Sequence, residues 1–340
     1  MSSTLALENQ HYGGSEAHVL CRNSFSIGGV TVEIIGERDD VTLISSLFPF
    51  QSRNAGDIHI RVEWVAELSP IPGAKLFDSG SVWRLYEDAG GYRFDFSARA
   101  LGDKPYKRLL VDREFRRANL SMSREVFGSS RDAVIAPLDY PLDELLIMHR
   151  LTQETGIEVH GCGIVRANGA GNLFVGHSEA GKSTTTRLWT EREDVEVLSD
   201  DRIILRREEQ SKQIPRRCAP RNDNQEQFPR GFAAGNDSEQ CGMRMYGTPW
   251  HGEARYASPG SAPLQRIFVL EHGHGNVLTR LSPSQAVAEL FARSFVPFYR
   301  HEYVESALEF LQDVVDSVPC YRYAFEPNQR AVDTILNLHD

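Results

Sequence analysis

The stretch NLFVGHSEAGKST, residues 172–184, carries the strongest fold signal in the chain. Its fixed positions are those of the skeleton G-x-x-x-x-G-K-S: Gly176, Gly181, Lys182 and Ser183. The two glycines permit a tight loop whose backbone N–H groups point inward, and such a loop ends at the positively polarised N-terminus of a helix. The stretch therefore predicts a strand, a phosphate-binding loop and a helix that begins at Lys182. The alternative is a glycine-rich turn with a surface lysine.

The loop residues have separate expected roles. Backbone amides bind phosphate, the Lys182 ammonium reaches the β- and γ-phosphates of a nucleotide, and the Ser183 hydroxyl binds Mg²⁺. The residues predicted to contact the nucleotide are Gly176, His177, Ser178, Glu179, Ala180, Gly181, Lys182, Ser183 and Thr184. Glu179 is unusual, because it puts a carboxylate into a loop that attracts anions. Its side chain can point outward, or it can orient a cation or the phosphate acceptor.

Two aspartates follow at an informative distance. Asp200 and Asp201 lie 18 and 19 residues after Lys182, behind the short predicted strand VEVLS. A helix of about ten residues rises about 15 Å, so the strand can return along it and bring the aspartates beside the loop. Neighbouring strand residues face opposite ways, so we expect one carboxylate near a metal and the other facing the substrate. The alternative is a polar turn at a strand end.

Three pieces of sequence together suggest a family: His160-Gly161, GHSEAGKST and LSDD. Their layout resembles the HPr kinase/phosphorylase family and its relatives, the phosphoenolpyruvate carboxykinases, over roughly residues 140–325. The resemblance implies an α/β fold with a P-loop domain and phosphoryl transfer that depends on ATP and Mg²⁺. It also implies that His160 flanks the active site, with Lys182 among its catalytic residues. Asp201 is then the base, and Asp200 joins Ser183 in binding the metal.

The closer similarity is to divergent HPr-kinase-like proteins that share YGTPWHGE-type segments, some of which lie in gene clusters for modified peptides. The predicted reaction moves the γ-phosphate of ATP to a hydroxyl, that of a serine or threonine in a peptide or small protein. Two alternatives stay open. One is a kinase of a small metabolite, and the other is a nucleotide-binding regulatory or accessory protein with little catalysis.

Hydrophobic patterning divides the chain into two regions. Residues 1–136 are β-rich, with hairpin signals at Gly28-Gly29 and Gly90-Gly91, and they predict a mostly antiparallel sheet. Residues 137–340 alternate strands and helices and form the predicted P-loop kinase-like domain. Within this second region, residues 208–242 are polar and lack periodicity, which is typical of a long loop or insertion.

Composition excludes several classes of protein. The 340 residues carry a formal net charge of −10, so the chain is not expected to bind nucleic acid or an anionic membrane surface. No run of eighteen apolar residues predicts a membrane span, and the first residues lack the features of a secretory signal. Five scattered cysteines without C-x-x-C favour reduced thiols and a cytoplasmic location. A homo-oligomer stays open.

Other segments have competing interpretations. GTPWHGEAR, residues 247–255, either contributes to the site or forms a turn with Trp250 in the core, and Arg244 or Arg255 could neutralise the transferred phosphate. His160 by itself would be a core histidine. His272 and His274 lack further ligands nearby, which argues against a metal site. A basic cluster, RRCAPR, lies in the polar insertion, and alternating aromatics at 321, 323 and 325 predict core packing.

Overall fold

The computed structural model describes residues 20–99, 104–127, 136–154, 156–177, 179–192, 194–207 and 242–338. These residues form a mixed α/β structure with a β-rich N-terminal sheet. The RRCAPR cluster and nearly all of the predicted insertion at 208–242 lie outside the described residues.

The secondary structure follows the predicted pattern closely. The strands are β1 (Cys21–Ile27), β2 (Val30–Gly36), β3 (Ile58–Val65), β4 (Lys75–Asp78), β5 (Trp83–Asp88), β6 (Gly91–Phe96), β7 (Lys107–Asp112), β8 (Arg117–Ser123), β9 (Gly156–Arg166), β10 (Gly171–Val175), β11 (Val195–Ser199), β12 (Arg202–Arg207), β13 (Met243–Tyr246), β14 (Ser261–His272), β15 (Val277–Arg280), β16 (Ser294–Phe295) and β17 (Cys320–Phe325). The helices are α1 (Arg124–Phe127), α2 (Leu142–Gln153), α3 (Lys182–Arg192), α4 (Pro283–Phe291), α5 (His301–Ser317) and α6 (Arg330–Leu336).

The N-terminal sheet has the strand order β1-β2-β3-β8-β7-β6-β5-β4. The expected hairpin at Gly28-Gly29 is confirmed, since Ile27 pairs with Val30. Five of the seven pairings are antiparallel, but β3 runs parallel to both β2 and β8. The chain leaves β2 and crosses over through residues 37–57, so β3 starts at the same end as β2. Hydrophobic alternation does not reveal whether a strand pairs in parallel or antiparallel with its neighbours.

The C-terminal region is built on a second sheet that closes on itself. β9 pairs with β10 and β12, β12 pairs with β13, and β13 pairs with β14. β14 is long, so its later residues also pair with β10, which completes a ring of five strands. β14 and β17 run parallel to β10, and the carboxyl ends of these three strands meet at one edge. The alternating aromatics Tyr321, Tyr323 and Phe325 are buried there, as expected.

α2 joins the two regions. Its apolar side chains at 142, 145, 146, 147 and 151 are buried in one core with the N-terminal sheet, together with Ile204 of β12 and Trp250. The β1–β2 turn packs on the same strand, because the carbonyl of Gly28 accepts a hydrogen bond from Arg206 at 3.0 Å. The N-terminal sheet therefore packs directly against the strand that follows the aspartate pair.

Among the helices of the described residues, none is both long enough and apolar enough to cross a lipid bilayer.

His149 of α2 is a fully buried titratable group in this shared core. Its ring stacks on Phe115 with centroids 4.4 Å apart, and Nδ1 lies 2.6 Å from the carbonyl oxygen of Leu145. Burial outweighs the Leu145 hydrogen bond and lowers the pKa of His149 to about 4 from its ordinary value of 6.5. The folded protein therefore holds this imidazole in its neutral form.

This burial predicts a loss of stability in acid. Between pH 6.5 and pH 4 the unfolded chain binds a proton at His149 that the folded chain does not, so the free energy of unfolding falls as the pH falls. The His149 contribution is at most about 3 kcal/mol and is fully present above pH 6.5. Denaturant unfolding of wild type and His149→Phe across this range measures it, with exposed His301→Gln as control. An equal pH slope in wild type and His149→Phe would contradict the assignment.

Candidate functional site

β9 organises the candidate site because it changes partners halfway along. Its first half pairs with β12 and β16, and its second half pairs with β10 and β11. In register, Val175 lies opposite Gly161 on one edge, and Arg202 lies opposite His160 on the other. The loop that leaves β10 and the aspartates between β11 and β12 therefore lie at the same level along β9, on its two opposite edges.

The loop of residues 176–181 needs its glycines for space. A Cβ atom on Gly181 would come within 2.5 Å of the Phe325 ring, and Gly181 has φ +101°. A Cβ atom on Gly176 would come within 2.7 Å of the Ala180 side chain. Side chains at these two positions would clash with Phe325 of β17 and with Ala180 of the loop itself.

Glu179 is one of the few residues other than glycine with a positive φ, which is 68°. Its side chain is exposed, and its carbonyl oxygen lies 2.8 Å from Nε2 of His272 at the end of β14. His272 thus holds the loop through the backbone, and the Glu179 carboxylate takes no part in that contact. The left-handed conformation suits glycine better than glutamate, which explains why a side chain there is unusual.

Lys182 begins α3 and folds back over the loop. Its ammonium donates to the carbonyl oxygens of Gly176 at 3.0 Å and His177 at 3.1 Å. The first backbone bond of the helix runs from Thr185 to Gly181, so the amides of residues 182–184 have no partner within the helix. The first turn carries no acidic residue, so nothing there opposes a bound anion.

Asp200 is turned toward a neighbouring loop. Its buried carboxylate accepts three backbone N–H bonds, from Gly252 at 3.0 Å, Ala254 at 2.9 Å and Tyr256 at 3.2 Å. These donors belong to the segment that includes GTPWHGEAR. Because a carboxylate offers about four acceptor positions, a metal ion at Asp200 would share it with these amides.

Asp201 has different partners from Asp200, although both lie in the interruption between β11 and β12 and not within a strand. Its Oδ1 lies 3.0 Å from Nε2 of His160, and Oδ2 pairs with Arg202. Burial raises the pKa of Asp201, but the His160 hydrogen bond and the charges of Arg202, His160 and Lys182 outweigh it, so the pKa is lowered. The carboxylate is therefore ionised at neutral pH. Burial also lowers the pKa of Lys182, and the charge of Asp201 opposes that shift.

The predicted site residues are thus only partly brought together. Lys182, His160 and Asp201 interact, whereas Asp200 binds a backbone loop and Ser178 lies outside the described residues. In the register of β12 and β13, Arg244 lies opposite Arg206. Arg206 is four residues from Arg202 along β12, a distance of about 13 Å in a strand. That separation argues against a role for Arg244 in neutralising phosphate.

Trp250 and Arg255 occupy different environments in the segment after β13. Trp250 is buried in the core, and its Nε1 donates to Asp143 at 2.9 Å. Arg255 is exposed with φ 61°. The core interpretation of Trp250 is confirmed, and a phosphate-neutralising role for Arg255 stays an untested alternative.

A magnesium ion would find few protein ligands here. Within the described ranges, no group of three or more His, Cys, Asp or Glu side chains is arranged to hold a metal. Mg²⁺ that binds with a nucleotide commonly takes one or two protein ligands, and phosphate and water supply the rest. The Ser183 hydroxyl is exposed in the first turn of α3, so it fits such an ion.

Sequence reasoning missed three residues that support the site. Arg202 contacts Asp201, and its position directly after the aspartates was a usable signal. The sequence around His272 argues against a metal site and gives no sign that this residue holds the loop. Glu144 reaches Arg202 from α2, and nothing in the helical pattern separates it from an ordinary surface glutamate.

The geometry at Glu179 predicts a neutral substitution. A left-handed glutamate costs about 1–2 kcal/mol, and Glu179→Gly removes that cost. The new glycine loses more conformational entropy on folding, which costs about 0.5–1 kcal/mol. We expect the free energy of unfolding to stay within about 1 kcal/mol of wild type or to rise, with nucleotide affinity unchanged. Denaturant unfolding and nucleotide titration measure both. A large loss of affinity would show that the carboxylate itself has a role.

The geometry at Asp200 predicts a loosened loop. Asp200→Asn replaces one accepting oxygen with an NH₂ group that faces backbone donors, at a cost of about 1–3 kcal/mol. The amides of Gly252, Ala254 and Tyr256 should then exchange hydrogen faster. Hydrogen-exchange mass spectrometry tests this, with exposed Glu253→Gln in the same loop as control. Unchanged protection in Asp200→Asn would contradict the structural role.

No protein-family model matches this chain, and no curated protein matches it. What the site does is therefore inferred from its own residues: the loop before α3, Lys182, and the pair formed by His160 and Asp201.

Proposed function

We propose that this protein is an ATP- and Mg²⁺-dependent phosphotransferase with a P-loop domain of the HPr-kinase-like type. It moves the γ-phosphate of ATP to a hydroxyl, that of a serine or threonine in a peptide or small protein. One observation carries the proposal. The N-terminus of α3 with Lys182 and the Asp201–His160 pair meet at one level of β9, and their charges interact.

Phosphate binding is supported by the state of the loop. The amides of residues 182–184 have no helical partners, and the Lys182 ammonium is bound to carbonyl oxygens of its own loop. A phosphate can replace those carbonyls as the partner of Lys182 without any rearrangement of the strand. The positive end of α3 and the absence of acidic residues in its first turn favour the same anion.

Acceptor activation is supported by Asp201. Its ionised carboxylate can take the proton of a hydroxyl, and the hydrogen bond with His160 holds one oxygen in place. A lowered pKa makes it a weak base. That is sufficient for phosphoryl transfer, because the loose transition state needs orientation of the nucleophile more than early removal of its proton.

Mg²⁺ would supply positive charge at the phosphates in addition to that of Lys182. Mg²⁺ neutralises charge that develops between the β- and γ-phosphates. Ser183 is the residue that would hold it, through the exposed hydroxyl next to Lys182. Asp200 has room for one further bond beyond its three amide donors, so it would contribute one oxygen or act through a bound water. The choice of a peptide or small-protein acceptor rests on the resemblance to HPr-kinase-like proteins.

The proposal predicts separate effects on binding and transfer. Asp201→Asn should lower kcat about 10²–10⁴-fold, the usual contribution of a general base, and leave ATP affinity unchanged. Transfer from γ-labelled ATP with Mg²⁺ to peptide libraries that contain a fixed serine or threonine measures the first quantity. Calorimetric titration with a non-hydrolysable ATP analogue measures the second. Exposed Asp194→Asn is the control.

Three outcomes separate the alternatives. Full activity in Asp201→Asn would show that this residue is not the base. Label transferred to a small metabolite but to no peptide would indicate a metabolite kinase. ATP bound by wild type without transfer to any acceptor would indicate a regulatory or accessory protein.

A further inference from the structure

Arg202 lies at the centre of three carboxylates that come from different elements. Its Nη1 pairs with Oδ2 of Asp201, and its Nε pairs with Oε1 of Glu144 from α2. The same Nε lies 3.3 Å from Oε1 of Glu158 in β9. The guanidinium also lies over the Phe295 ring, 4.8 Å from its centroid. Arg202 is thereby fixed from four directions.

Glu158 adds a free-energy cost to any movement of Arg202 away from these carboxylates. Its side chain is fully buried, and neither carboxylate oxygen accepts a well-aligned hydrogen bond. Arg202 is the cation next to it, and Glu144 brings a second acid to the same guanidinium. Burial, together with the neighbouring Glu144, raises the pKa of Glu158 well above its ordinary range, and the charge of Arg202 opposes that shift. Arg202 therefore lowers the free-energy cost of burying Glu158, and moving its guanidinium away would raise that cost.

We propose that Arg202 is a positioning residue: anchored behind by Glu144 and Glu158, it orients the Asp201 carboxylate toward His160. The inference rests on the proposed function for its kinetic consequence, but the orientation itself belongs to the folded protein. Asp201 lies between β11 and β12, where the regular strand is interrupted. Its side chain is held by His160 on one oxygen and by Arg202 on the other.

The shape of the guanidinium explains why arginine is required. Its planar fork contacts Asp201 through Nη1 and the two glutamates through Nε at the same time. A lysine ammonium is a single point charge at the end of a flexible chain, and it cannot bridge both sides in a fixed geometry. We therefore expect Arg202→Lys to restore only part of what Arg202→Gln removes.

Arg206 provides a matched control. It lies on the same strand and the same face as Arg202, four residues further along. It also binds a glutamate near α2, because Nη2 lies 3.2 Å from Oε2 of Glu154, and it donates to the Gly28 carbonyl. Loss of Arg206 removes a comparable half-buried ion pair, but one that does not reach Asp201.

The kinetic test uses Mg²⁺-dependent release of phosphate from ATP, with water in place of the unidentified acceptor. Arg202→Gln should lower kcat about 10–100-fold, as expected for a small misplacement of a reacting group, and change KM for ATP less than about 2-fold. Arg206→Gln should keep kcat near wild type. The double variant Arg202→Gln/Glu158→Gln should regain melting temperature but not kcat. Recovery of both would overturn the proposal, since Arg202 would then serve only to neutralise Glu158.

A second measurement needs no reaction. In protein labelled with ¹⁵N-histidine, the Nε2 signal of His160, assigned with His160→Gln, reports on its hydrogen bond with Asp201. We expect Arg202→Gln to shift or broaden this signal and Arg206→Gln to leave it unchanged. An unchanged signal in Arg202→Gln would overturn the proposal. If wild type transfers phosphate neither to water nor to any peptide or metabolite acceptor but the signal responds, the proposed function fails and the positioning role stands.

Discussion

The backbone hydrogen bond from the N–H of Gly161 to the carbonyl of Asp201, 3.0 Å long, fixes the aspartates to β9 at the level where β10 ends. It joins β9 to the interruption between β11 and β12, directly across β9 from the end of β10. Gly161 is needed there because a Cβ atom would lie 2.8 Å from the carbonyl oxygen of Phe174. The close approach of three strands at this point fixes where the loop and the aspartates stand relative to each other.

The N-terminal sheet is more than an attached region, because it shares α2 with the site. Asp143 and Glu144 at the start of α2 hold Trp250 and Arg202 respectively. Asp143 is buried, and burial raises its pKa to about 6 despite the Trp250 hydrogen bond. The predicted boundary at residue 136 precedes α2, whose apolar side chains are buried in one core with the N-terminal sheet.

Local patterns predicted much of the architecture. The glycine hairpins and the strand–loop–helix around Lys182 follow from signals within about twenty residues. The parallel placement of β3 and the ring closed by β10 and β14 were not predicted, because both depend on which strands pair across long sequence separations. Alternation reports which face of a strand is buried and says nothing about its neighbours.

By itself the sequence predicted the loop, its lysine and an aspartate beside them, since a strand after the loop helix returns along it. Only the tertiary structure decided what the carboxylates of Asp200 and Asp201 contact. Asp200 binds amides more than fifty residues away, and Asp201 is held by Arg202, which is anchored by glutamates from α2 and β9. The physical reason is that a buried charge takes its partners from whatever elements the fold brings beside it, and no spacing in the chain encodes that choice.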